Sequence, residues 1–229
     1  MKDLTIVYYS ANKLPEHIAQ NFRRELVEAV GNMIPIISVT QKPIDLGKNI
    51  CVGDIGQSYY NLYKQMYIGV QEVKTKYVAT VEDDTLYVME HFKYRPTSDD
   101  TISYNESMWF LDRDVFWNRK GTGTFGCIAP TQLLTKVLGQ RYEKYPTEPM
   151  PRDSQKYKWR DPGQDDKLGF KNQKTERFKT KIPLITLCYW NATHGWPKHR
   201  SRTSKVVGSL KYWGSAVELR RKMEERRDR

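Results

Sequence analysis

The first 84 residues alternate between apolar runs of strand length and amphipathic runs of helix length, and this order constrains the fold more than any other feature of the chain. Leu4-Thr5-Ile6-Val7-Tyr8-Tyr9 reads as a buried strand ending in the polar turn Ser10-Ala11-Asn12. Pro15 opens a helix that runs to about Val30, with Ile18, Phe22, Leu26 and Val30 at spacings of four, and Gly31 stops it. Ile34 to Val39 reads as a second strand, and a loop with Gly and Pro follows from Gln41 to Asp54. A helix from about Gln57 to Lys74 then presents Tyr59, Tyr63, Met66, Tyr67, Val70 and Val73 as one apolar stripe. It leads into a third strand, Tyr77–Val81. Strands joined through helices must lie parallel with right-handed crossovers. The expectation is an α/β fold with a mixed, mostly parallel sheet flanked by helices.

The third strand runs directly into Glu82-Asp83-Asp84. Its carboxyl end would deliver these acids to the edge at which open α/β sheets hold their ligands. Three adjacent carboxylates repel one another, so they need either solvent or a cation. Hard oxygens beside a phosphate-bearing ligand favour Mg²⁺ or Mn²⁺. The competing interpretation is an exposed acidic turn after an ordinary strand.

Beyond Asp84 the pattern loosens. Thr101–Tyr104 and Met108–Leu111 read as short strands, Gly121, Gly123 and Gly126 mark a tight or flexible loop, and Pro130 to about Tyr142 reads as helix. A polar stretch from Pro146 to Gly163 precedes one more buried strand, Ile182–Trp190, and a charged helix begins near Ser215.

Charge is distributed unevenly. The chain carries +11, but residues 1–151 hold 17 Lys and Arg against 18 Asp and Glu, whereas residues 152–229 hold 21 against 9. A local basic excess of this kind fits a polyanionic partner. No apolar run approaches the ~20 residues of a membrane span, and no secretion signal is read at the start. Three scattered cysteines, Cys51, Cys127 and Cys188, suit a reducing compartment. The expected location is therefore cytoplasmic (the host cytoplasm, if a phage encodes the chain). Nothing in the sequence indicates an oligomeric state.

Three motifs together resemble the GT-A fold glycosyltransferases that use nucleotide sugars. The first is Glu82-Asp83-Asp84 at the end of its strand, in the place of an Asp-x-Asp element. The resemblance implies Asp84 as metal ligand, with Glu82 and Asp83 beside the donor. The second is Gly163-Gln164-Asp165-Asp166, where the family shows a Gly-Glu-Asp element; it implies Asp165 as general base with Asp166 as its neighbour, although Gln164 replaces the Glu. The third is Asn191 to Arg200, where a late His serves many such enzymes as a metal ligand. It implies His194 as ligand, favouring Mn²⁺ over Mg²⁺, with Lys198, Arg200 and Arg202 folding over the diphosphate. Tyr8, Tyr9, Ser10 and Asn12 are expected to meet the base and ribose, and Asp54 to accept from a uracil N–H. The implied donor is a nucleoside-diphosphate sugar such as UDP-glucose or a relative. Residues 1–229 are expected to form one GT-A domain, with 1–90 holding the donor and 91–229, including the basic C-terminal segment, holding the acceptor.

The basic region interleaves charge with rings, as in Lys156-Tyr157-Lys158-Trp159-Arg160 and Arg177-Phe178-Lys179. Cations can neutralise phosphates while rings stack on bases. The chain is similar in this respect to phage glycosyltransferases that modify hydroxymethylated DNA bases, which implies a DNA acceptor, a DNA-binding surface and inverting chemistry. A polysaccharide, lipid or protein acceptor is the alternative. A nucleotidyltransferase and a non-enzymatic nucleic-acid-binding module are readings from other classes. The first should show a Gly-rich phosphate loop where the chain has Ser10-Ala11-Asn12-Lys13, and the second leaves the acids without a role.

Overall fold

The computed structural model describes residues 2–118, 121–147, 161–189 and 204–226. Its centre is a seven-stranded sheet with helices on both faces. In chain order the first half comprises β1 (Leu4–Ser10), α1 (Glu16–Val30), β2 (Ile36–Thr40), β3 (Lys48–Cys51), α2 (Tyr59–Gln71) and β4 (Tyr77–Glu82). There follow β5 (Thr85–Leu86), α3 (Met89–Phe92), β6 (Thr101–Asn105), β7 (Met108–Asp112), β8 (Val115–Asn118), β9 (Cys127–Pro130) and α4 (Thr131–Lys144). The last elements are β10 (Lys174–Phe178), β11 (Leu184–Leu187), the two-residue strands β12 (Val206–Val207), β13 (Ser209–Leu210) and β14 (Gly214–Ser215), and α5 (Ala216–Glu224).

The strand order of the large sheet is β10-β6-β9-β4-β1-β2-β3. The pairs β1–β2, β1–β4, β2–β3 and β10–β6 are parallel, and only β9 runs against its two neighbours. The fold is therefore mixed α/β with a mostly parallel central sheet, as the β-α-β-α-β order requires. β1 is buried along its whole length, which explains its mostly apolar sequence. Ile6 and Tyr8 join the core beneath α1 with Leu26 and Val30. Val7 and Tyr9 join the opposite core with Tyr63, Met66 and Val70 of α2 and Leu134, Val137 and Leu138 of α4. Gly69 lets α2 approach the sheet: a Cβ there would lie 2.5 Å from Val7 Cγ1 and 3.0 Å from Val39 Cγ2.

A second sheet, β12-β8-β7-β11-β5, abuts the first. Its β5 begins immediately after the acids, and the Leu187 N–H donates to the Asp84 carbonyl at 2.8 Å. The acids thus sit on the seam between the two sheets. α5 closes this side against α1, where Asn21 Nδ2 donates to the carbonyls of Met223 and Glu225 at 2.9 and 3.0 Å. No described helix is long and apolar enough to cross a membrane.

β3, β9 and β10 were not anticipated from sequence. Each is four or five residues long, and each is completed by pairing with a sheet already present. The strand expected over Ile182–Trp190 is shorter, Leu184–Leu187.

Candidate active site

β1 and β4 lie side by side with Tyr9 opposite Glu82. From β1 the chain proceeds to β2 on one side and reaches β4 on the other, so their carboxyl ends form a topological switch point, where a crevice opens in such sheets. A cleft of about 700 Å³, including its open mouth, occupies this place. It is lined by Glu82, Asp83 and Asp84, by Gly56, Gln57 and Ser58 just before α2, and by Lys13. Ser58 caps α2 by accepting the Asn61 N–H at 3.1 Å. The start of a 13-residue helix, which carries partial positive charge, thus borders the same cleft as the acids.

The three acids are held differently. Glu82 Oε1 accepts from the Tyr9 hydroxyl at 2.8 Å and from Thr124 Oγ1 at 2.6 Å. Burial raises its pKa, the two hydroxyls oppose that, and the charges of Asp83 and Asp161 add to it. Asp83 accepts a short hydrogen bond from Ser10 Oγ, which also accepts the Asn12 N–H at 2.8 Å. Burial raises Asp83 too, against Ser10 and the nearby Arg23. Asp84 is the least supported, with a single hydrogen bond from Thr85 Oγ1 at 3.1 Å among the described residues. Burial, and then the charges of Glu82 and Asp83, push its carboxyl well above the usual range. A cation on Asp84 would relieve all three.

The donor set fits a hard divalent ion. Among the described residues no group of three His, Cys, Asp or Glu side chains converges as a ready-made cation cage. Asp84 and its neighbouring carboxylates are the residues that could hold an ion such as Mg²⁺, which is commonly bound through one or two carboxylates with water and ligand phosphates completing its shell. His194, Lys198, Arg200 and Arg202 lie outside the described residues, as do Lys156 to Arg160.

Tyr9, Ser10, Glu82, Asp83 and Asp84 thus line one cleft. Other expected contacts are employed elsewhere. Tyr8 is buried on the α1 face and does not line the cleft. Asn12, with φ of 53°, turns its Oδ1 to the N–H groups of Gln41 and Lys42 at 2.8 and 2.9 Å, tying the end of β1 to the loop after β2. Asp54 is exposed and accepts the Gly56 N–H at 3.2 Å, shaping the loop beside the cleft.

Asp165 departs furthest from its expected role. It is buried away from the cleft lining, and its Oδ1 accepts from Arg141 Nε at 2.8 Å and contacts Nη2 at 2.7 Å. Its Oδ2 accepts the Gly163 N–H at 2.8 Å. Both oxygens are committed to the fold, because Arg141 is fully buried on α4 and requires an anion. Asp166 is exposed and also outside the cleft lining. Phe178, expected among base-stacking rings, is buried and stacks on Tyr94 with centroids 3.8 Å apart.

Sequence reasoning missed several groups. Gln65 is a buried polar residue on the inner face of α2; its Nε2 donates to the carbonyls of Ser10 and Val39, each at 2.8 Å, and so fixes the ends of β1 and β2. A glutamine on an otherwise apolar stripe was the available signal. Thr124, Lys13 and Tyr189 carried no signal of their own. Asp161 was also missed. It is half-buried, accepts a short hydrogen bond from Thr122 Oγ1, and lies close enough for its charge to act on Glu82.

No protein-family model matches the sequence, and neither does any curated protein sequence. Solved structures of similar shape exist. One is residues 1–349 of TarS from S. aureus, with 13% identity over 82% of this chain and a TM-score of 0.49. Another is a glycosyltransferase involved in glycosylation of the major capsid of PBCV-1, with 10% identity over 81% of this chain and 92% of that one, TM-score 0.46. A third is the glycosyltransferase GlyE of Streptococcus pneumoniae TIGR4, with 8% identity over 75% of this chain and 44% of that one, TM-score 0.44. The chain spans 60% of the TarS fragment it matches. These are likenesses of architecture.

Proposed function

We propose that this protein is a metal-dependent glycosyltransferase of GT-A type, moving a sugar from a uridine-diphosphate sugar to an acceptor hydroxyl. The observation that carries this reading is the convergence at one switch-point cleft of three buried carboxylates with the residues that open α2 and with Lys13. This combination suits a divalent cation on the acids together with the phosphates it carries.

Asp84 is the assigned metal ligand, because its carboxylate takes least from the protein. His194 is assigned as the second ligand, and Lys198, Arg200 and Arg202 as diphosphate contacts, on the sequence motif alone. When bound, the ion neutralises the leaving diphosphate. Glu82, clamped by Tyr9 and Thr124, forms a rigid floor for the donor.

The base is reassigned from Asp165 to Asp161. Asp165 spends both oxygens on Arg141 and Gly163. Asp161 does not itself line the cleft; it is tied to Glu82 through the loop that carries Thr122 and Thr124, the first bonded to Asp161 and the second to Glu82. In this scheme Asp161 takes the acceptor hydroxyl proton as the oxygen attacks the anomeric carbon, and the centre inverts. The excess of 12 positive charges across residues 152–229 supports a polyanionic acceptor, and hydroxymethylated DNA is the acceptor we assign.

The test is a panel of nucleotide sugars with Mn²⁺, using plain and hydroxymethylated DNA as acceptors and reading nucleoside mass. Asp84→Asn should abolish metal-dependent transfer and leave DNA affinity intact. Equal transfer by wild type and variant would remove Asp84 from the site. One observation favours a second reading. Lys13, in the turn after β1, lines the cleft and could meet a phosphate, although the Gly-rich loop expected of a nucleotidyltransferase is missing there. Pyrophosphate release from a nucleoside triphosphate and a sugar 1-phosphate would identify that activity.

A further inference from the structure

Tyr189 follows β11 and lines the same cleft as Asp83 and Asp84. It is only 8% exposed, and its hydroxyl is enclosed without a hydrogen-bond partner among the described residues. The ring is fixed on two sides. Phe22 meets it edge-on at 6.4 Å between centroids, and the Arg220 guanidinium lies over it at 5.5 Å. Buried polar atoms are nearly always matched, and an unmet donor weakens a fold. Phenylalanine would fill the same space without that cost. A hydroxyl retained on a residue that lines a ligand cleft, with no partner among the described residues, therefore points to a partner that arrives with the ligand.

We propose that Tyr189 is a ligand-binding residue whose hydroxyl donates to a phosphate oxygen of the nucleoside diphosphate. The assignment rests on the donor-site reading above. It follows from the neighbours. A phenol donates one proton, and among the described residues neither Asp83 nor Asp84, which line the same cleft, takes it. A cation on Asp84 brings phosphate oxygens to this side of the cleft, and these are acceptors only. Burial, followed by the charges of Glu224, Asp84 and Asp83, raises the hydroxyl pKa, so the group remains protonated and able to donate.

Tyr189→Phe tests this with two readouts that move in opposite directions. Thermal unfolding of the free protein should be unchanged or a few degrees higher, because an unsatisfied donor has been removed. Calorimetric titration with UDP and Mn²⁺ should show affinity about tenfold or more weaker, while uridine, which has no phosphate, should bind both proteins alike. UDP affinity within twofold of wild type overturns the proposal. So does a melting temperature several degrees lower, which would mean that the hydroxyl serves the fold. If the wild type binds none of UDP, GDP, ADP or CDP in Mn²⁺, the donor-site reading itself fails, and this is seen before the variant is made.

Discussion

Asp165→Asn separates a carboxylate that holds the fold from one that performs chemistry. Arg141 has no exposed surface and the Asp165 side chain is 3% exposed, so the pair at 2.7 and 2.8 Å lies in the interior. The guanidinium retains lesser contacts, the Tyr63 ring at 4.8 Å and the Asp161 carbonyl at 3.5 Å. Removing one member of a buried pair costs about 3–5 kcal/mol, because the other charge is left without compensation. A domain's total stability is about 5–15 kcal/mol, so this loss is a large share. At about 2–4 °C per kcal/mol for a chain of this size, the melting temperature should fall by roughly 6–20 °C. The paired change Arg141→Met with Asp165→Leu removes both charges together and should recover most of the loss. Urea unfolding monitored by fluorescence gives the midpoints, read at constant slope. Sugar transfer by the folded fraction is measured alongside. The argument is refuted if Asp165→Asn shifts stability by less than about 1 kcal/mol while transfer is lost, because Asp165 would then be acting in the reaction.

Asp161→Asn should show the complementary pattern: transfer falling by about 10²–10⁴-fold, with UDP affinity and melting temperature close to wild type. A loss of UDP binding instead would place Asp161 on the donor. His91 should make the fold acid-sensitive. Burial pushes its imidazole down to about 3, whereas an unfolded chain titrates near 6.5. Above pH 6.5 both states are neutral and stability is full. As pH falls from 6.5 towards 3, the unfolded state takes up a proton that the folded state refuses, and stability drops by about 2 kcal/mol by pH 5. His91→Phe should flatten that slope, and Asn105 Nδ2 would keep its bond to Thr180 at 3.1 Å. Identical urea midpoints for variant and wild type from pH 7.5 to 5 would exclude His91 as the cause.

The legible part of this fold is the part in which local pattern and long-range structure make the same demand. β1 and β4 are buried along most of their length, so their sequences are mostly apolar, and an acid cluster at the end of such a run falls at the sheet edge. The alternation of strand and helix then fixes β1 beside β4, and the cleft follows. The illegible part begins where a residue's role depends on a partner that the local pattern does not specify. Asp165 in a polar stretch reads the same whether it faces a ligand or a buried arginine. A signal was nevertheless present at the other end of the pair. Leu134, Val137, Leu138 and Arg141 follow helical spacing along one face of α4, and the first three are core. An arginine continuing an apolar stripe is either at its exposed end or buried against an acid. Tyr145, Leu168 and Phe170 pack beyond it, so the stripe does not end there. The same logic applies to Phe178. Between two exposed cations it resembles a ring offered to a base, but strand alternation turns residue 178 inward onto Tyr94 whenever 177 and 179 face solvent. In both cases the decisive information was periodicity, and it assigns these residues to the core.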